Sequence, residues 1–233
     1  MTGAVAVTDD GAIRIIRMNR PEKKNALTLA MYTDMTRALR EADQSDAIRC
    51  VMFAGAPGAF CAGNDIGDFL KALALGQKPM VAAVAGVAIG IGTTMLLHCD
   101  HVVAGADAMF STPFLKLALI PEAASTLLAP MRMGYARAFS LLMMGRPLSA
   151  EEAKAAGLVN TVVDAAEVDA VALQAAREIA ALPPGALAVA RRLMRGNRDA
   201  VIKQIEAESM HFEDLLKSDE ARAAFQAFLA RKK

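Results

Sequence analysis

An α/β fold is predicted by two features of the sequence. Short β-rich runs alternate with helical segments through the first half, and the pattern turns almost wholly helical after about residue 123. The 233 residues, 55% of them hydrophobic, suffice for a substantial core, as one domain or a domain with an appendage. Trp is absent and aromatics are few while Met reaches 14, so the core relies on helices and adaptable Met packing rather than on stacked rings.

The first element predicted is a hairpin, Ala4 to Thr8 and Ile13 to Met18, turning at Asp9-Asp10-Gly11. Leu27, Met31, Met35, Leu39 and Ala42 follow the helical period and predict a helix from about Leu27 to Ala42. Cys50 to Ala54 reads as a buried strand ending at Gly55-Ala56-Pro57-Gly58, and Val81 to Val84 as a second. That strand runs into a glycine-rich turn, Gly86 to Gly92, opening a helix around Thr93 to Leu97, and a third strand spans His101 to Ala104. Further on, Ser149-x-x-Glu152 forms a capping box, Gly157 closes that helix, and Leu158 to Val163 reads as a brief strand. Pro183-Pro184-Gly185 breaks the next helix. Ala186 to Lys233 then reads as amphipathic helix striped by Ile202, Ile205, Met210, Leu215 and Leu216. Such an arm, with little core of its own, is expected to pack on the body or on another subunit, with oligomer contact favoured.

A formal net charge of +1 gives no electrostatic reason to expect nucleic acid or an anionic membrane as partner. Cys50, Cys61 and Cys99 are too widely spaced for a disulfide framework or a zinc site and read as buried thiols. The N-terminus lacks a charged region followed by a long apolar run, and the apolar segment Met80 to Leu97 is interrupted by Gly86, Gly90 and Gly92; the expected location is cytoplasmic. The glycine turn has neither the G-x-G-x-x-G spacing nor the Lys-Ser/Thr pair of a phosphate loop. What it supplies is helix N-terminal N–H groups aimed at any negative charge beside them. His98 and His101, flanking Cys99-Asp100, read as structural, with no third ligand for a metal; Arg191-Arg192-Leu193-Met194-Arg195 reads as a solvated face.

Four segments are more informative in succession than singly. They are Arg20-Pro21-Glu22-Lys23-Lys24-Asn25-Ala26-Leu27, then Gly58 to Ile66 (GAFCAGNDI), then Lys78 to Val84 (KPMVAAV) with the glycine turn, then Ala153-x-x-Ala156-Gly157-Leu158-Val159. In this order they resemble the crotonase (enoyl-CoA hydratase/isomerase) superfamily across nearly the whole chain. The resemblance implies a spiral of ββα units with a helical C-terminal trimerisation region: residues 1–182 as the spiral core with an acyl-CoA site, 183–233 as the oligomerisation region. It implies an acyl-CoA thioester substrate, a homotrimer or a hexamer of paired trimers, and no separate cofactor or metal, coenzyme A being part of the substrate. Carried over residue by residue, it assigns an oxyanion hole to the backbone N–H groups of Asn64 and Ile91. Ile91 stands where the family usually has glycine, which a backbone donor tolerates if φ there is not positive. Lys24, Ala26, Ala62, Asp65, Ile66 and Gly90 match segments that hold coenzyme A or substrate. The stretch 67–77 is shorter than its counterpart in the family, where a helix and loop cover the acyl end.

By the same resemblance the two hydratase glutamates are replaced, by Thr94 and by Phe114 of Ser111-Thr112-Pro113-Phe114. Glu122, in Leu119-Ile120-Pro121-Glu122, matches the single acid of the Δ3,Δ2-enoyl-CoA isomerase branch. There, apolar neighbours would raise its pKa toward the range of a proton shuttle. The other reading of Glu122 is a carboxylate complementing the N-terminus of a helix over Ala123 to Met133. The favoured function is thus 3-enoyl-CoA to trans-2-enoyl-CoA isomerisation. The alternatives are hydration or another crotonase-type reaction, or a CoA-binding or RNA-associated protein with little catalysis.

Overall fold

The structure, a computed structural model, describes residues 3–63 and 67–230. In chain order its elements are β1 (Val5–Asp10), β2 (Ile13–Met18), α1 (Leu29–Gln44), β3 (Cys50–Ala54), β4 (Ala59–Cys61), α2 (Gly67–Leu75), β5 (Met80–Val84), β6 (Val87–Ile89), α3 (Ile91–Thr94), β7 (His101–Gly105) and β8 (Met109–Ser111). The helical half follows as α4 (Ser125–Met133), α5 (Tyr135–Leu142), β9 (Leu148–Ser149), α6 (Ala150–Ala155), β10 (Thr161–Val163), α7 (Val168–Ala181), α8 (Pro184–Arg195), α9 (Arg198–Leu216) and α10 (Asp219–Ala230). Short 3₁₀ turns cover Pro21–Lys23, Met95–His98 and Leu115–Leu117.

Two sheets build the core, one ordered β1-β2-β3-β5-β7-β10 and one β4-β6-β8-β9. From β3 to β8 successive strands alternate between them, so each step of the chain adds one strand to each sheet before a helix returns it. That alternation is the expected spiral of ββα units. Among the described residues the strands pair in parallel except β1 with β2 and β8 with β9. β3 and β5 are buried along their whole length because both faces are covered, which is why they read as unbroken apolar runs. α7 covers one face of the larger sheet, where Val168, Ala172 and Ala176 meet Ile13, Met52 and Val81.

Several boundaries move. Asp9 and Asp10 belong to β1, and the chain reverses at Gly11-Ala12 with Gly11 at φ 57°. The first long helix begins after Thr28, whose hydroxyl accepts the Met31 N–H. The capping box at Ser149 and Glu152 is present in both directions. The expected strand over Leu158 to Val163 shortens to β10, and the C-terminal arm is three helices, not one. Pro184 is the first residue of α8, a position where its missing N–H costs no hydrogen bond. The end of the arm folds on its own body: Phe212 of α9 and Ala221 of α10 enclose Phe114 and Leu119.

Candidate active site

Around Lys24 the chain makes a tight left-handed turn, with φ 49° at Lys24 and 55° at Asn25. Asn is among the few residues that tolerate this conformation. Fully buried, Asn25 donates to the carbonyls of Ala59 (2.8 Å) and Phe60 (3.2 Å) and accepts the Arg20 N–H. The Ala62 N–H donates to the Lys24 carbonyl and the Leu27 N–H to that of Gly63, at 3.0 and 3.1 Å. Residues 24–27, with Lys24 and Ala26 among them, and residues 59–63, with Ala62, therefore meet along one seam. Asn25 clamps that seam, and nothing in the sequence reading singles it out. Asn64, Asp65 and Ile66 follow directly and lie outside the described residues.

Against this seam lies the glycine turn. A Cβ on Gly92 would sit 2.6 Å from the Cys61 carbonyl, so only glycine lets the two backbones approach. Gly90, at φ 57°, is the N-cap of α3, and Ile91 is its first helical residue, outside the positive-φ set. An isoleucine there is thus unstrained. The N–H groups of Thr93 and Thr94 return to the Gly90 carbonyl, which leaves that of Ile91 at the helix start without an intrahelical acceptor. Phe114 packs close by, 3.7 Å from where a Gly90 Cβ would stand.

Glu122 is only 2% exposed, and Thr94 Oγ1 lies 2.5 Å from its Oε1 and 3.4 Å from the Gly90 carbonyl. The chain thus joins the glycine turn, Thr94 and Glu122 in one buried connection. The first N–H groups of the following helix need an acceptor. That task falls to Glu208 of α9, whose carboxylate accepts the N–H groups of Ala124 (2.6 Å) and Thr126 (3.1 Å) and the Thr126 hydroxyl (2.5 Å). Burial pushes the Glu208 carboxyl up, against the lowering effect of these hydrogen bonds. Ala123 and Ala124 both adopt left-handed backbone, φ 64° and 53°, a cost of about 1–3 kcal/mol each for a non-glycine residue. On the other side the ring N–H of His98 Nε2 donates to the Ala123 carbonyl at 2.8 Å. Burial holds this imidazole neutral, its pKa lowered to about 4.

All three cysteines are free and buried, each thiol pushed up to about 12 mainly by desolvation, and among the described residues no cluster could hold a metal. The run 191–195 is not a solvated face throughout. Arg191, 7% exposed, pairs with Asp100 at 2.9 Å and donates to the carbonyls of Gly76 and Gln77, while Arg195 approaches Asp100 at 3.4 Å. The partners of Arg191 lie 91 to 115 residues away, so no local pattern announces them. A cleft of about 490 Å³ beside these arginines, walled by Leu97, Leu128 and Met194, does not include Thr94, Gly90, Phe114 or Glu122. Among the described residues no helix is long and apolar enough to cross a membrane.

A two-sheet ββα spiral, with a glycine turn packed against the strand end that leads to residue 64, defines a protein of the crotonase class. The chain belongs to the enoyl-CoA hydratase/isomerase family, whose model matches residues 8–233. It is 34% identical to enoyl-CoA delta isomerase 2 of Rattus norvegicus over 98% of the chain, and spans 64% of that relative's length. It is 31% identical to the 1,2-epoxyphenylacetyl-CoA isomerase of Escherichia coli K12, covering 94% of the chain and 93% of the relative. To a probable enoyl-CoA hydratase of Rhizobium meliloti it is 30% identical, over 97% and 95%. Among solved structures, an enoyl-CoA hydratase/isomerase from Pseudoalteromonas atlantica T6c superposes with a TM-score of 0.95 at 38% identity, over 98% of both chains.

Proposed function

We propose that the protein isomerises 3-enoyl-CoA to trans-2-enoyl-CoA, with Glu122 carrying the proton. The observation that supports this reading most is the pairing of a nearly buried Glu122 with Thr94, at a position where a hydratase of the family would have a second carboxylate. With Phe114 at the other hydratase position, neither acid of the hydratase pair is present to activate water. A single carboxylate suffices for a 1,3-shift. It removes the C2 proton, the electrons pass to the thioester oxygen as an enolate, and the enolate collapses as the same group returns the proton to C4. The double bond moves from C3–C4 to C2–C3, and no atom is gained or lost.

The enolate oxygen would rest on the N–H groups of Ile91 and Asn64, each contributing roughly 3–4 kcal/mol in comparable sites. Thr94 suits a carboxyl that changes state. It donates to Glu122 when the latter is ionised; when Glu122 is protonated, the carboxyl O–H can donate to Oγ1 while the hydroxyl hydrogen turns to the Gly90 carbonyl. The isomerase names of the rat and Escherichia coli relatives agree with this reading, and the Rhizobium meliloti name supplies the competing one. The test is to assay purified protein with 3-enoyl-CoA for isomerisation and with crotonyl-CoA for hydration. Isomerisation is expected to dominate and to fall by roughly 100-fold or more in Glu122→Gln. A fully active Glu122→Gln variant, or hydration exceeding isomerisation, would overturn the reading.

A further inference from the structure

Glu208 is a buried acid that the chemistry above does not use. It comes from α9, in the C-terminal helical region, and is 3% exposed. An ionisable group with so little solvent needs a reason to be there, and its partners supply one. Both of its oxygens face the first turn after Glu122: Oε2 accepts the Ala124 N–H, and Oε1 accepts the N–H and hydroxyl of Thr126. Gln204, one helical turn earlier, donates to the same Thr126 hydroxyl at 2.8 Å, so that its single proton is left for Glu208.

What Glu208 holds is a conformation that alanines avoid. Ala123 and Ala124 are consecutive left-handed residues, directly after Glu122 in the chain. The opposite side of the turn is held by His98 through the Ala123 carbonyl. With an apolar residue at 208 the N–H groups of Ala124 and Thr126 would lose their acceptors, and the alanines would relax toward right-handed backbone.

We propose that Glu208 is a positioning residue for Glu122: its carboxylate fixes the left-handed turn at Ala123-Ala124 and so aims the Glu122 carboxyl at Thr94 and the glycine turn. This rests on Glu122 being the proton carrier. It gives the C-terminal region a part in the chemistry, beyond covering Phe114.

The variant is Glu208→Gln, which keeps size and packing but sets an amide N–H₂ against a backbone donor. Isomerisation of 3-enoyl-CoA should lose roughly 10- to 100-fold in kcat, a range typical of ångström-scale misplacement, with KM changed less than about twofold. Thr126→Val, which removes one of three donors, should fall between this and wild type, and Thr126→Ser should retain the activity. Deuterium exchange at the Ala124 and Thr126 amides should accelerate in Glu208→Gln while the core strands stay protected. That readout needs no substrate: a wild type that fails to isomerise overturns the role of Glu122 as proton carrier, and amide exchange still decides whether Glu208 holds the turn. Unchanged kcat in a folded Glu208→Gln, or unchanged exchange at Ala124, would sink the proposal. If Glu208→Gln does not fold, Thr126→Val against Thr126→Ser carries the same decision.

Discussion

A hydroxyl at position 94 is a weak acid and a poor base, so its value to Glu122 lies in hydrogen bonding. A hydrogen bond to an ionised group contributes about 1.5–3 kcal/mol, which corresponds to roughly 10- to 100-fold in rate when it is strongest in the reacting state. Thr94→Val, nearly the same shape, should therefore lower kcat within that range, while Thr94→Ser should stay within about threefold of wild type by steady-state kinetics. Equal activity in the valine variant would show that Glu122 works without it. At this scale the sequence is legible where a residue sits inside a motif. Gly90, Ile91 and Glu122 are singled out as candidates by their neighbours, and the unstrained φ at Ile91 answers the question its side chain raises. Glu208 and Asn25 are not legible. The donors to Glu208 are 82 to 84 residues away and the two carbonyls that Asn25 clamps 34 to 35, and an isolated Glu or Asn carries no sign of such a contact.

Elements are legible in proportion to how local their cause is. The capping box at Ser149 and the N-cap at Thr28 each concern residues three apart. The first stands plainly in the sequence, whereas the second is obscured because Leu27, just before it, is buried and continues the helical stripe. β4, β6 and β8 have three residues each, too few for an alternation to show, and they exist because a neighbouring strand supplies their hydrogen bonds. The glycines between them carry the information instead. Gly86 has φ 68°, and a Cβ there would lie 2.1 Å from the Gly58 carbonyl, a collision of backbone with backbone. Gly185, in the first turn of α8, is the opposite case, for a Cβ there would have nothing within 4 Å. Gly86→Ala should destabilise by about 3 kcal/mol or more, whereas Gly185→Ala should be neutral or stabilising by up to about 1 kcal/mol. Urea midpoints of the two variants check both; a tolerant Gly86→Ala would mean that the spiral's turns can slide apart.

Across the whole molecule, the C-terminal helices are tied to the spiral by buried and part-buried polar links that their amphipathic pattern does not reveal. Asp100 accepts the Met80 N–H and pairs with Arg191 and Arg195 of α8, and Glu208 of α9 reaches the turn after Glu122. His98 stands between these two links, its ring on the Ala123 carbonyl and its own carbonyl accepting from Arg195. This arrangement makes stability depend on pH in a defined direction. In the unfolded chain His98 titrates near 6.5, but in the fold desolvation keeps it neutral down to about 4. Between those values the unfolded chain binds a proton that the folded chain does not, so the free energy of unfolding drops as pH falls through the window. The loss is up to about 3 kcal/mol for the full difference. Glu208 acts oppositely: its raised carboxyl favours proton uptake in the folded state as pH falls. The informative quantity is therefore the difference between wild type and His98→Gln, whose amide can still donate to the Ala123 carbonyl but cannot titrate. Urea denaturation at pH 7, 6 and 5 should show wild type losing stability faster than the variant on acidification. Parallel slopes would mean that His98 is charged inside the fold, and that the turn behind Glu122 is more open to water than its burial indicates.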